Sequence, residues 1–153
     1  MSIEASLSRY KKNNILIAVI LCIGLAIWFG YDGFMNKNFI DKHTTADGKA
    51  DSTLAFNRKS PPFLAGAAIL AGIYFLTIRN KKVVADGKEL AVDDKLRISY
   101  DSIEKIDKTF FQSKGYFVIG YKNKENQQAE LKLSDRTYDN LSAVLDELVA
   151  KIS

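Results

Sequence analysis

Residues 60–78 read SPPFLAGAAILAGIYFLTI, nineteen residues without a charge, closed by Lys59 and Arg79. A helix of that length rises roughly 28 Å at about 1.5 Å per residue, close to the hydrocarbon thickness of a bilayer. Residues 13–31, NNILIAVILCIGLAIWFGY, match it: nineteen uncharged residues between Lys12 and Asp32. A buried helix in a soluble core is the alternative for each. Such a helix needs an amphipathic pattern or a large enclosing domain. Neither stretch has a polar face, and the rest of the 153-residue chain is too small to enclose two apolar helices. The sequence therefore predicts two transmembrane helices, 13–31 and 60–78, and a chain that crosses a bilayer twice.

Working outward, residues 1–12 are short and polar and end in Arg9, Lys11 and Lys12. A basic start before an apolar run also describes a secretory signal. This run is longer than a typical signal core and ends in Trp28-Phe29-Gly30-Tyr31 with no small-x-small site, so it reads as uncleaved. Trp28, Phe29 and Tyr31 suit the interfacial aromatic belt at the far end of the first helix. Small residues recur every fourth position, as Ala18, Cys22 and Ala26 in the first helix and as Ala68 and Gly72 in the second. Such faces let helix backbones approach closely, which predicts an antiparallel hairpin packed through them, or self-association through one of them.

The connector, 32–59, is polar and turn-rich, with a turn expected at Asp47-Gly48. His43 reads as a solvated loop residue, and Asp47 and Asp51 do not match a calcium loop. Pro61-Pro62 suits the first turn of the second helix. Two spans put both termini on one side. Arg9, Lys11, Lys12, Arg79, Lys81 and Lys82 at the terminal ends slightly outweigh Lys37, Lys42, Lys49, Arg58 and Lys59 in the connector. The positive-inside rule then places both termini in the cytoplasm and the connector outside it.

Composition is consistent with this division. The mean hydropathy of −0.09 averages two apolar segments with polar ones. The net charge of +4 is spread along the chain, without the dense basic run of a nucleic-acid arm. The one cysteine, Cys22, cannot form an intramolecular disulfide. One cysteine and one histidine, far apart, exclude a common protein-only zinc site.

From Lys82 the period changes to two, and 79–153 reads as a separate cytoplasmic domain. Residues 83–85 and 88–92 predict a hairpin with a type I′ turn at Asp86-Gly87. Residues 96–100 alternate with Leu96, Ile98 and Tyr100 inward. Residues 103–111, IEKIDKTFF, predict a strand with a bend or bulge, and Ser113-Lys114-Gly115 a turn. Residues 116–122, YFVIGYK, are the most hydrophobic strand and the expected centre of a sheet. After a polar turn at 123–126, residues 128–134 alternate with Ala129, Leu131 and Leu133 on one face. Residues 135–152 carry Leu141, Val144, Leu145, Leu148 and Ile152 on one helical stripe, with Ser134 or Asp135 as cap. The expected fold class is α+β: a transmembrane hairpin, then a small antiparallel sheet or barrel of six or seven strands, capped by one C-terminal amphipathic helix.

Residues 97–106, RISYDSIEKI, together with the closing LSDRTYDNLSAVLDELVAKI, resemble the bacterial PH-like domain of the pleckstrin-homology superfold, often found beside transmembrane helices. The resemblance covers about half the chain and implies a small barrel closed by its last helix. Eukaryotic members bind phosphoinositides through basic residues in their first hairpin loop. The corresponding turn here, Asp86-Gly87-Lys88, is short and carries an acid, so that activity is not implied.

No nucleophile elbow, P-loop, zinc-protease or dinucleotide pattern is present. Asp101, Glu104 and Asp107 lie along a half-exposed strand and read as solvated charge. The expectation is a non-enzymatic protein without cofactor, metal or small-molecule substrate, and without a nucleic-acid partner. Three functions fit: an interaction module that binds a protein partner or its own copies at the bilayer surface, a module recognising anionic lipid, or an accessory subunit of a larger membrane complex. For the lipid reading the candidate residues are Arg79, Lys81, Lys82 and Lys88, with Lys105, Lys108 and Lys114 extending the patch. Arg79, Lys81 and Lys82 also serve simply as topology determinants.

Overall fold

A computed structural model describes residues 2–93 and 95–152; Met1, Asp94 and Ser153 fall within the expected segment bounds but outside the described residues. The elements run β1 (Ile3–Ser6), α1 (Arg9–Phe34), α2 (Lys37–Lys42), α3 (Ser52–Ile78), β2 (Lys82–Ala85), β3 (Glu89–Val92), β4 (Leu96–Ser99), a 3₁₀ turn at Tyr100–Ser102, β5 (Ile103–Asp107), α4 (Phe111–Lys114), β6 (Tyr116–Lys122), β7 (Gln128–Ser134) and α5 (Leu141–Ile152). The protein is α+β, with two long apolar helices, two antiparallel sheets and a C-terminal helix. It divides into two compact units, residues 1–12 with 78–153, and residues 13–77.

The mixed unit contains two meanders, β1-β2-β3-β4 and β5-β6-β7. Its first strand comes from the segment expected to be a separate N-terminal piece. Ile3, Glu4, Ala5 and Ser6 pair antiparallel with Ala85, Val84, Val83 and Lys82. The run I-E-A-S-L-S alternates, so Ala5 and Leu7 turn into the core while Glu4 and Ser6 stay outside. The apolar hairpin is thus inserted between two hydrogen-bonded neighbouring strands.

Ser8 anchors the start of α1. Its Oγ accepts from the Lys11 N–H at 3.2 Å and donates to the Arg136 carbonyl at 2.7 Å. The Asp139 carboxylate accepts from the Arg9 N–H at 2.9 Å, a negative group at the positive end of the helix dipole. Helix α1 therefore starts four residues before the expected 13, held by the segment that precedes α5.

Three further local expectations change. The β2–β3 turn is not type I′, because neither Asp86 nor Gly87 has positive φ. Asp86 Oδ1 instead accepts from the N–H groups of Lys88 at 2.7 Å and Glu89 at 2.9 Å, an Asx turn that extends the loop to three residues. The strand expected over 103–111 ends at Asp107 after a register shift between Ile103 and Lys105, and Phe111 begins α4. Helix α5 starts at Leu141, six residues later than expected. Residues 137–140 instead bond to the β1 side: Leu7 bridges Tyr138, the Asp139 N–H donates to Ser6 O, and Asn140 Nδ2 donates to Glu4 O.

The expected centre of the second sheet holds, with β6 between β5 and β7. Phe117, Ile119 and Leu133 face inward and meet Leu141, Val144, Leu145 and Leu148 of α5 in one buried cluster with Val83, Leu90 and Ile98. Ile152, at the end of the expected stripe, is exposed.

In the helical unit the shielded positions of α1 include Ile15, Val19, Cys22, Ala26, Phe29 and Gly33, with Gly30 and Asp32 beside them near its end, and those of α3 include Leu54, Asn57, Pro61, Leu64, Ala68, Ala71 and Phe75. Both sets alternate steps of three and four, the seam of a left-handed helix pair. A strict step of four drifts about 40° around a helix each time. Hence Cys22 and Ala26 stay in the seam while Ala18 is exposed, and Ala68 is buried while a Cβ built on Gly72 meets nothing within 4 Å.

The close approach is elsewhere, at Gly33, where an added Cβ would lie 3.0 Å from the Asn57 carbonyl oxygen. Pro61 and Pro62 lie inside α3 rather than in its first turn. Lacking N–H groups, they free the carbonyls of Asn57 and Arg58 from helical bonding. Arg58 Nε in turn donates to Gly33 O at 2.9 Å. The connector turns at Gly48, φ +73°, as expected. His43 is not a free loop residue: its Nδ1 lies 2.8 Å from Asp51 Oδ2, and Asp51 Oδ1 caps α3 by accepting from the Leu54 N–H at 2.8 Å. Those two interactions, the Leu54 bond first, hold the Asp51 carboxyl below its ordinary range.

Candidate functional site

The basic residues expected to face a headgroup do not converge. Arg79 and Lys88 are exposed. Lys81 Nζ lies 3.3 Å from Asp93 Oδ2, and Lys82 Nζ lies 3.1 Å from Glu4 Oε2. These two lysines fasten the start of β2 to β1 and to the residue after β3, so their charge is already partly offset.

A different group of cations does gather. The β6–β7 register sets Tyr116 opposite Ser134 and Val118 opposite Lys132, so Tyr116 and Lys132 are diagonal neighbours on the outer face of the second sheet. Lys132 Nζ stands 3.7 Å from the centre of the Tyr116 ring. The Tyr116 ring stacks on Phe110 at 5.6 Å, and Lys114 Nζ stands 4.6 Å from the Phe110 ring. The order Lys132, Tyr116, Phe110, Lys114 is a ladder of two rings closed at each end by an ammonium, held by cation–π attraction.

Gly115 makes this possible. Its φ of +69° ends α4 in the left-handed conformation, and a Cβ there would overlap the Asp135 carboxylate. The Asp135 N–H donates to Gly115 O at 2.8 Å, tying the end of α4 to the end of β7.

Beside the ladder a groove of about 790 Å³ runs along β7, an edge strand paired only with β6 among the described residues. Lys114, Lys132 and Arg136 line it with Asp93, Ser113, Ser134, Thr137 and Tyr138. The Tyr138 hydroxyl donates to Asp93 Oδ2 at 2.9 Å. Burial first, then that bond, pushes the Tyr138 phenol well above its ordinary value. The other Asp93 oxygen is buried with no partner among the described residues, and Asp93 itself sits at φ 53°.

A second groove of about 710 Å³ follows β4, the edge of the first sheet, along residues 95–99 and past 121–125. Behind it, the Tyr100 hydroxyl donates to the Asp86 carbonyl at 2.7 Å. Burial, then the Asp86, Glu147 and Glu89 carboxylates, raise its pKa to about 12.

Of the three groove cations, only Lys114 is among the headgroup candidates that the sequence suggests, and there as part of another patch. The signal was present in the alternation of Tyr116 with Lys132 and Ser134 across an expected hairpin. Fold and grooves define a class: an α+β protein whose first sheet is interrupted by a two-helix apolar hairpin and whose edge strands border polar grooves. Compared with known proteins, the chain matches no family model, no curated protein and no solved structure.

Proposed function

We propose that the chain is an integral membrane protein with two spans and both termini in the cytoplasm, carrying a PH-like, non-enzymatic interaction module that binds a protein partner at the membrane surface. The observation that carries this reading is the insertion of the apolar hairpin between β1 and β2. Both helices are long and apolar enough to cross a membrane. Ile20 and Ile27 are 67% and 68% exposed, and Phe63 and Leu70 are 78% and 71% exposed. In water each such side chain forgoes about 1.5–3 kcal/mol of burial, whereas in lipid it does not. Because Ser6 and Lys82 are register partners, the segments before α1 and after α3 belong to one sheet, which favours a common side for both termini. Four strands, then three, then a helix across the core is the arrangement that supports the PH-like reading.

The partner contributes an extended segment to β4. This edge is unpaired among the described residues, lies beside a groove, and exposes backbone groups for strand addition. Tethering to a surface raises the effective concentration of both proteins, so a modest contact suffices.

The test uses full-length protein in cells with a photo-crosslinking residue at Ser99 on β4, or at Asp146 on α5. The expected result is a chain retained in carbonate-washed membranes, with one discrete protein adduct from position 99 and none from 146. Release from washed membranes refutes the anchor. Loss of the adduct at 99, or the same adduct from both positions, refutes the β4 partner.

A further inference from the structure

We propose that the groove along β7 binds a phosphate-bearing ligand, with Lys114, Lys132 and Arg136 contacting the anion and the Ser134 and Thr137 hydroxyls as further donors. This inference goes beyond the proposed function and stands whether or not the hairpin crosses a membrane. Three observations converge on it. None of the three cations has a carboxylate within ion-pair distance among the described residues, whereas Lys81, Lys82, Arg97 and Lys122 do. Two of the three cations are placed by rings rather than left free, the Lys132 ammonium on Tyr116 and the Lys114 ammonium on Phe110. An ammonium already held in position loses less side-chain freedom when an anion arrives, and its donors not directed at the ring remain available. The groove, at about 790 Å³, falls in the size range of small-molecule sites.

Two acids lie near the cations: the Asp135 carboxylate packs against Gly115 and forms no ion pair with them among the described residues, and Asp93 lines the groove. Asp93 Oδ2 is engaged by Tyr138 and Lys81, so its charge is partly offset. A phosphate with three non-bridging oxygens matches three separated cations and two hydroxyls, a pairing of charge-assisted hydrogen bonds. The source is either a soluble phosphate compound or a lipid headgroup, and both present the same chemistry to these residues.

The experiment titrates full-length protein in neutral-detergent micelles with inorganic pyrophosphate. A parallel arm places the protein in nanodiscs of phosphatidylcholine, with or without phosphatidic acid. Binding is followed by calorimetry and by backbone amide shifts. Saturable binding is expected, with shifts concentrated at Ser113, Gly115, Ser134 and Thr137. Combined Lys114→Gln, Lys132→Gln and Arg136→Gln substitution weakens it at least about tenfold. The pair Lys105→Gln and Lys124→Gln, outside the groove, leaves it unchanged. Shifts with pyrophosphate assign a soluble ligand, and shifts with phosphatidic acid alone assign a headgroup. The wild-type shift map needs no variant, so a misfolded triple mutant leaves the test intact. Absence of shifts with both probes, shifts centred elsewhere, or equal binding by a folded triple variant overturns the proposal.

Discussion

Replacing Leu7 with Ala separates a folded N-terminus from a free tail. Leu7 is 1% exposed, its N–H donates to Lys81 O at 2.9 Å, and it bridges Tyr138. The substitution removes three carbon atoms from a packed site. At about 0.8 kcal/mol for each, the transfer loss is about 2.4 kcal/mol, and the cavity left behind brings the total to about 3 kcal/mol. For a unit of this size, with about 2.1 cal/mol/K of unfolding entropy per residue, that lowers the melting temperature by about 15 °C. The assay is thermal unfolding of the full chain in detergent, followed by the tertiary signal of the tyrosines. Glu4→Ala is the control. It breaks only the exposed pair with Lys82, and a surface ion pair of this kind contributes about 0–1 kcal/mol. If Leu7→Ala melts within about 3 °C of the wild type, as an exposed tail residue does, residues 3–7 are not a strand of the sheet and the insertion of the hairpin between strands falls with it.

Two other predictions follow from the geometry. Gly33→Ile drives a branched side chain into the Asn57 carbonyl and destabilises the helix pair by about 1–3 kcal/mol, read from thermal loss of the helical signal. At Gly72 an added Cβ meets no atom within 4 Å, so Gly72→Ile leaves that signal unchanged; equal effects of the two contradict the seam. Tyr100 and Tyr138 are favoured as neutral phenols, because both pKa values are raised above 10.0. Their contribution to stability is full below the unfolded value near 10 and is lost as pH rises through the folded value, about 12 for Tyr100. Melting temperature therefore falls steeply across that window. A tyrosinate absorbance titration in which all seven tyrosines ionise together near 10 removes the argument.

The structure also relates the two arms of the functional reading. The strand edge proposed for a protein partner is β4 of the first sheet, and the cations of the proposed anion groove lie on and around β7 of the second. Substitutions on β4 and at Lys132 therefore test different recognition surfaces.

Much of the fold was legible because its signals are local. Each long apolar run predicts a helix by itself, and YFVIGYK and QAELKLS predict strands by alternation. The stripe Leu141, Val144, Leu145 and Leu148 predicts the face of α5 that is buried. The errors lie where the deciding contact is distant in sequence. The late start of α5 depends on Ser6 and Glu4, more than 130 residues away, whereas the turn at Asp86 is a local exception, decided by a side chain that accepts from the N–H groups two and three residues on. In the candidate site, Lys114, Lys132 and Arg136 are separated in the chain, and only the β6–β7 register and the left-handed Gly115 bring them together.

What the sequence determined by itself is which segments are apolar enough for lipid and which face of β6, β7 and α5 is buried, since periodicity and hydropathy are properties of neighbouring residues. Only the tertiary structure decided that I-E-A-S-L-S is the first strand of the mixed unit. That alternation is too short to hold a strand alone. It becomes one because Val83 and Ala85, nearly eighty residues later, supply both the hydrogen-bonding edge and the apolar core it needs.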